Sequence, residues 1–131
     1  MFNSNPDLRY RSLWLGIGYM LVGLVVFLSV TSDPVNTNIN LPFVDKFFHA
    51  LAYFSLMFWF SQIYHVKKQR LFYAVVFVLM GVLMEYIQSF DPARSYEVAD
   101  MMANTAGVLL AILLSRSVLF SSVLGRIERH F

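Results

Sequence analysis

The chain contains no cysteine and little charge: Asp, Glu, Lys and Arg together make up 14% of its 131 residues. Without cysteine there is no disulfide, no thiolate metal ligand and no thiol nucleophile, although the redox compartment stays open because a membrane bundle needs no disulfides. The scarcity of charge, set beside 58% hydrophobic residues, excludes an ordinary soluble domain. H-E-x-x-H is also missing, and no dense spacing of His, Asp and Glu marks a zinc site. The formal charge is only +2, with the basic residues in connections and tails, so no nucleic-acid partner is expected.

What the chain does have is long apolar runs. A membrane-spanning helix needs about 20 mostly apolar residues. Four segments approach that length, at about 13–30, 47–64, 71–90 and 100–119. They predict an all-α, polytopic membrane protein: a four-transmembrane-helix bundle forming a single domain over residues 1–131. Arg9 and Arg11 precede the first run in the manner of a signal peptide, but the run exceeds a usual h-region and no A-x-A-like site follows, so it is read as a retained span. Residues 31–44, with two prolines and three asparagines, form a loop. The basic stretch His65 to Arg70 is read as a tight turn that makes spans two and three antiparallel neighbours, and the C-terminal residues from Ser121 as a short interfacial tail.

Orientation follows from the basic residues. The two tails and the 65–70 turn hold eight of them (Arg9, Arg11, Lys67, Lys68, Arg70, Arg116, Arg126 and Arg129), whereas the two other loops hold Lys46 and Arg94. By the positive-inside rule both termini face the cytoplasm and the 31–45 and 91–99 loops face outward. Asp33, Asp45, Asp91, Glu97 and Asp100 then lie outside, and Glu85 approaches that side from within.

The polar residues of the later spans fall on common faces. Asp45, His49 and Tyr53 recur every fourth residue, as do Gly81 and Glu85, with Gln88 following. At about 1.5 Å per residue Glu85 lies about 7 to 8 Å below the end of its span. On the fourth span Asp100 and Asn104 share a face, and Ala103, Gly107, Ala111 and Ser115 make a small-residue ridge of the kind that lets helices approach closely. Ionisable residues inside a membrane are costly and mark functional sites by default. The simplest closed arrangement gathers Asp45, Lys46, His49, Tyr53, Glu85, Gln88, Arg94, Asp100 and Asn104 around one outward-facing cavity.

These residues have a familiar order. D-K-x-x-H-x-x-x-Y at 45–53, G-x-x-x-E-x-x-Q at 81–88, Arg94, and D-x-x-A-N-x-x-G at 100–107 resemble the VanZ-like family over residues of roughly 45–111, in motif order and in span number. That family takes its name from a bacterial protein associated with resistance to the glycopeptide teicoplanin. The resemblance implies a bacterial cytoplasmic membrane and a role in the cell envelope, and it brings no settled mechanism with it.

Each residue also has a structural reading. Glu85 suits general acid or base chemistry, or an acid satisfied by Arg94, His49 or an amide and serving helix association. His49 suits proton relay, metal ligation or a hydrogen bond to Asp45 or Tyr53. Asp100 also suits an N-cap, and Asn104 an interhelical hydrogen bond. Arg94 suits bidentate binding of phosphate or carboxylate, or pairing with Glu97. Lys46 suits an interfacial anchor, and the aromatics Phe54, Phe58, Trp59 and Phe60 suit lipid-facing bulk. A divalent metal ion on the Asp, His and Glu side chains stays an open alternative.

Three functions fit this inventory. In the first, the pocket recognises or handles an amphiphilic envelope molecule, a lipid-linked phosphate precursor or a lipoglycopeptide, with Arg94 and Lys46 receiving anionic groups and Asp45, Tyr53, Gln88 and Asn104 lining the site. The second is an intramembrane enzyme on such a substrate, with catalytic Glu85, His49 and Asp100. The third is a structural or partner-binding subunit. Membrane lipids are partners under all three, and oligomerisation is left open.

Overall fold

The computed structural model describes residues 8–30, 44–90, 98–117 and 123–131, the side chain of Asp45 excepted. Residues 31–43 and 91–97, and with them Asp33, Asp91, Arg94 and Glu97, lie outside the described residues. The described residues form five helices and no strand: α1 (Arg11–Val30), α2 (Val44–Ile63), α3 (Lys67–Gln88), α4 (Val98–Ser115) and α5 (Val123–Glu128). Two boundaries correct the sequence reading. The 65–70 stretch is mostly helix, because Lys, Gln and Arg are good helix formers and only His65 and Val66 are left to turn the chain. The C-terminal stretch expected as a plain tail carries α5.

Three helices, α1, α3 and α4, are long and apolar enough to cross a membrane. The fourth expected span, α2, is not among them, and its position explains why. It contacts α1, α3, α4 and α5, and its most extensive partner is α4 rather than its chain neighbour α3. Tyr53, Leu56, Met57, Phe60, Ser61, Gln62 and Ile63 are all buried, so the second half of α2 is enclosed by protein, while Phe47, Phe48 and Leu51 leave one face of its first half exposed. A helix surrounded by protein can carry polar residues that a lipid-facing helix cannot.

The outer helices show the converse pattern. Met20, Phe27, Leu79, Met102 and Leu113 are among many large apolar side chains left exposed, more contiguous apolar surface than a soluble monomer carries. Inside, packing rather than the exclusion of water holds the helices together. Phe60 corrects the expectation of lipid-facing bulk: it stacks on Tyr73 at 4.8 Å between ring centroids, meets Phe77 at 5.5 Å and takes Tyr19 edge-on at 5.5 Å. Each such pair contributes about 0.5–1.5 kcal/mol beyond its area. Trp59 donates its indole N–H to the carbonyl of Trp14 at 2.9 Å, fixing α1 on α2.

The helices alternate in direction. The start of α1 lies with the end of α2, the start of α3, the end of α4 and α5. The Glu128 carboxylate of α5 closes this end by accepting the backbone N–H groups of Arg9 at 2.7 Å and Tyr10 at 2.8 Å and the indole N–H of Trp14. The carboxylate thus stands at the start of α1, where unsatisfied N–H groups and the helix dipole favour negative charge. At the other end the last turns of α1 and α3 meet the first turns of α2 and α4.

Candidate functional site

The site sits at that second end and is built by α2, α3 and α4. α2 and α4 come together there because Gly107 has no side chain: a Cβ on it would fall on the carbonyl of Ala50 and lie 3.0 Å from the backbone nitrogen of Phe54. Gly107, Ala111 and Ser115 of the expected small-residue ridge are buried at this interface, as a close-packing seam requires. One turn toward the helix start, the same face of α4 carries Asn104 and then Asp100.

Four side chains link in sequence. The ammonium of Lys46 lies 2.9 Å from Asp100 Oδ1, an ion pair without hydrogen-bond alignment. Asp100 Oδ2 lies 3.8 Å from His49 Nε2, and His49 Nδ1 lies 3.2 Å from Asn104 Oδ1. The amide oxygen of Asn104 accepts from Nδ1–H, which orients the ring and leaves Nε2 facing Asp100. Lys46 sits at the rim with 27% of its side chain exposed, whereas Asp100 is covered.

Glu85 lies deeper, 1% exposed, within electrostatic range of Tyr53, which is 2% exposed. The Tyr53 hydroxyl has no hydrogen-bond partner among the described residues. Gly81 makes room for this arrangement: a Cβ there would meet Asn104 Nδ2 at 3.1 Å and Tyr53 Cε1 at 3.5 Å. The bare backbone of α3 thus lets an amide from α4 and a phenol from α2 sit side by side above it. Gln88 is buried on the same helix but donates to the Ser29 carbonyl at 2.7 Å, tying α3 to the end of α1. Of the nine residues expected at the site, the structure gathers Lys46, His49, Tyr53, Glu85, Asp100 and Asn104, turns Gln88 toward α1, and leaves Arg94 and the Asp45 side chain outside the described residues. Among the described residues no group of three or more His, Asp or Glu is placed to hold a metal ion.

Two groups went unread at the sequence level. Arg70, counted only as a basic loop residue, reaches the carbonyls of Ser61, Tyr64 and Ser115, and Glu128 caps α1 from the far end of the chain. Their partners lie up to 119 residues away, and no local spacing announces them.

A helical bundle with apolar outer helices and a buried polar cluster at one end is a membrane protein in architecture. The chain belongs to the VanZ/LLP1 family, whose family model matches residues 3–121. Nothing matches among curated proteins or among solved structures.

Proposed function

We propose that this protein crosses the bacterial cytoplasmic membrane four times, with both termini inside, and that the Lys46, His49, Tyr53, Glu85, Asp100 and Asn104 cluster recognises an amphiphilic cell-envelope molecule from the outer side. The fourth crossing rests on parity. If α1, α3 and α4 cross, the contact of Glu128 with Arg9 and Tyr10 brings both ends of the chain to one face, which needs an even number of crossings. The basic residues Lys67, Lys68, Arg70 and Arg116 stand at that same face, the cytoplasmic one by the positive-inside rule.

One observation carries the binding reading: a buried carboxyl and a buried phenol whose hydroxyl lacks a hydrogen-bond partner among the described residues lie together below a charged rim. An unsatisfied buried hydroxyl costs about 1–3 kcal/mol, a cost that a ligand's polar group offsets. Lys46 is already neutralised by Asp100, so an incoming phosphate or carboxylate depends more on Arg94 for charge. The ligand tail lies against the exposed apolar faces of α3 and α4, and teicoplanin-like lipoglycopeptides and lipid-linked phosphate precursors both have this build.

The fixed His49 ring favours a second reading, an enzyme. With Nδ1 held by Asn104, Nε2 exchanges a proton beside Asp100, and Glu85 supplies a second acid or base. Native mass spectrometry of protein extracted in mild detergent, wild type beside Glu85→Gln, tests the site. An envelope amphiphile carried by the wild type and lost from the variant supports recognition, and turnover of that molecule would then favour the enzyme. Nothing bound to either, with both folded and of the same oligomeric state, sinks both readings in favour of a partner-binding subunit.

A further inference from the structure

The opposite end of the bundle carries a second group of polar side chains that the reading above leaves unused. Arg70 stands at its centre, half-buried, and donates from Nη2 to the Ser61 carbonyl at 2.7 Å, from Nε to the Tyr64 carbonyl at 2.9 Å and from Nη1 to the Ser115 carbonyl at 3.4 Å. One guanidinium thereby closes the ends of both α2 and α4. The serines whose carbonyls it holds are fully buried, and neither hydroxyl has a hydrogen-bond partner among the described residues. Buried hydroxyls are normally satisfied, so two beside one cation are unusual.

Other basic residues stand at this end with Arg70. Arg116, exposed at the end of α4, lies within electrostatic range of it, and exposed Lys67 and Lys68 form the first turn of α3. That turn has no side-chain cap: Val66 stands at the N-cap, where it offers no acceptor to the free N–H groups. Gln69, in the same turn, is buried, with its amide oxygen unpartnered among the described residues. The nearby carboxylate, Glu128, is engaged by the N–H groups of Arg9, Tyr10 and Trp14. An uncapped start of a 22-residue helix flanked by Lys and Arg suits a phosphate group.

Immediately beyond these charges, Val66, Leu71 and Phe72 are exposed. A free phosphate has no use for such a surface, whereas a phospholipid lays its acyl chains along it. We infer that the end of the bundle formed by Lys67, Lys68, Arg70 and Arg116 binds the phosphate of an anionic phospholipid in the leaflet opposite the Glu85 site. The polar group sits on α3 and α4, and the acyl chains run down the face of Leu71 and Phe72.

Arg70 also closes two helices, so its removal threatens the fold, and the test uses exposed positions instead. Arg116→Gln and Lys68→Gln are compared with the wild type and with Arg129→Gln, an exposed charge on the tail at the same end. Each is titrated in detergent with phosphatidylglycerol, phosphatidylcholine and inorganic phosphate, and bound species are counted by native mass spectrometry after folding is checked by size exclusion. The wild type is expected to retain phosphatidylglycerol over phosphatidylcholine, and each site variant to bind it about fivefold more weakly, while Arg129→Gln does not change. Equal retention of the two lipids, an undiminished preference in both site variants, or an equal loss in Arg129→Gln overturns the proposal. Inorganic phosphate that displaces the lipid at equal concentration overturns the lipid assignment.

Discussion

The space that a Gly107 side chain would occupy is filled by the carbonyl of Ala50, so α2 and α4 touch backbone to backbone at this point. Backbone cannot yield as a side-chain tip can. Gly107→Ala therefore has to push the helices apart, at a cost of roughly 1–3 kcal/mol or more, which exceeds the usual gain of about 0.5–1 kcal/mol from replacing glycine within a helix. Gly16 and Gly23, with nothing within 4 Å of a Cβ, are the matched controls. Thermal unfolding in detergent should fall clearly for Gly107→Ala and hold or rise for Gly16→Ala and Gly23→Ala. Equal behaviour of the three would mean that the α2 and α4 seam is not as close as described.

Gly81 calls for a different outcome. A Cβ there meets the Asn104 amide at 3.1 Å, a side chain that can swing aside but only by disturbing its contact with His49. Gly81→Ala is expected to leave the unfolding temperature close to that of the wild type while reducing ligand retention in the native mass spectrometry assay. A large loss of stability with ligand retention intact would remove Gly81 from the site.

The His49 to Asn104 contact is measurable as a coupling. In a double-mutant cycle of His49→Ala and Asn104→Ala, an interhelical hydrogen bond in a membrane bundle gives a coupling of about 0.6 kcal/mol and at most about 1.7 kcal/mol. A value near zero would show that the two side chains act independently.

Much of this arrangement was legible in the residues. The repeats Asp45, His49, Tyr53 and Asp100, Asn104, Gly107 give each helix a polar face by arithmetic alone, and the scarcity of polar residues in the outer helices leaves them few other places to meet. What could not be read was which helix is surrounded. Hydropathy reports how a segment would fare in lipid, and α2 largely escapes lipid by lying among its neighbours, so the aromatic run that looked like lipid-facing bulk instead delivers Phe60 to the core. Gln88 shares the face of Glu85 and still turns to Ser29, because a long amide reaches whichever carbonyl is left open at the end of α1. Glu128 and Arg70 work through contacts that no periodicity encodes.

The Glu128 clamp predicts a dependence on pH. Burial opposes ionisation of this carboxyl, but the N–H groups of Tyr10, Trp14 and Arg9 together with the Arg9 charge outweigh it and hold its pKa below the ordinary value of 4.5. A depressed carboxyl pKa stabilises the folded form above the unfolded value, and that stabilisation is lost as the pH falls through the lowered folded value. The attachment of α5 to the start of α1 should thus persist at neutral pH and weaken below about pH 4.5, the ordinary carboxyl value. Because the Trp14 indole is a direct partner, tryptophan fluorescence reports it, and Glu128→Gln should show the released signal at every pH. A titration identical in the variant would assign the change to another group.

The four-crossing topology has its own test, made simple by the absence of native cysteine. His65→Cys, at the turn between α2 and α3, and Phe90→Cys, just past α3, place single exposed thiols at opposite ends of the bundle. If α2 and α3 both cross, a membrane-impermeant maleimide added to intact cells labels Phe90→Cys and spares His65→Cys, and inverted vesicles reverse the result. A third thiol at Phe131→Cys should follow His65→Cys, since Glu128 holds the C-terminal helix against Arg9 and Tyr10 at that end. Labelling of a fourth thiol, Tyr10→Cys just before α1, on the face opposite Phe131→Cys would require an odd number of crossings. The clamp between the two ends of the chain could not then exist in the membrane, and α2 would have to lie along the surface with its polar face in water.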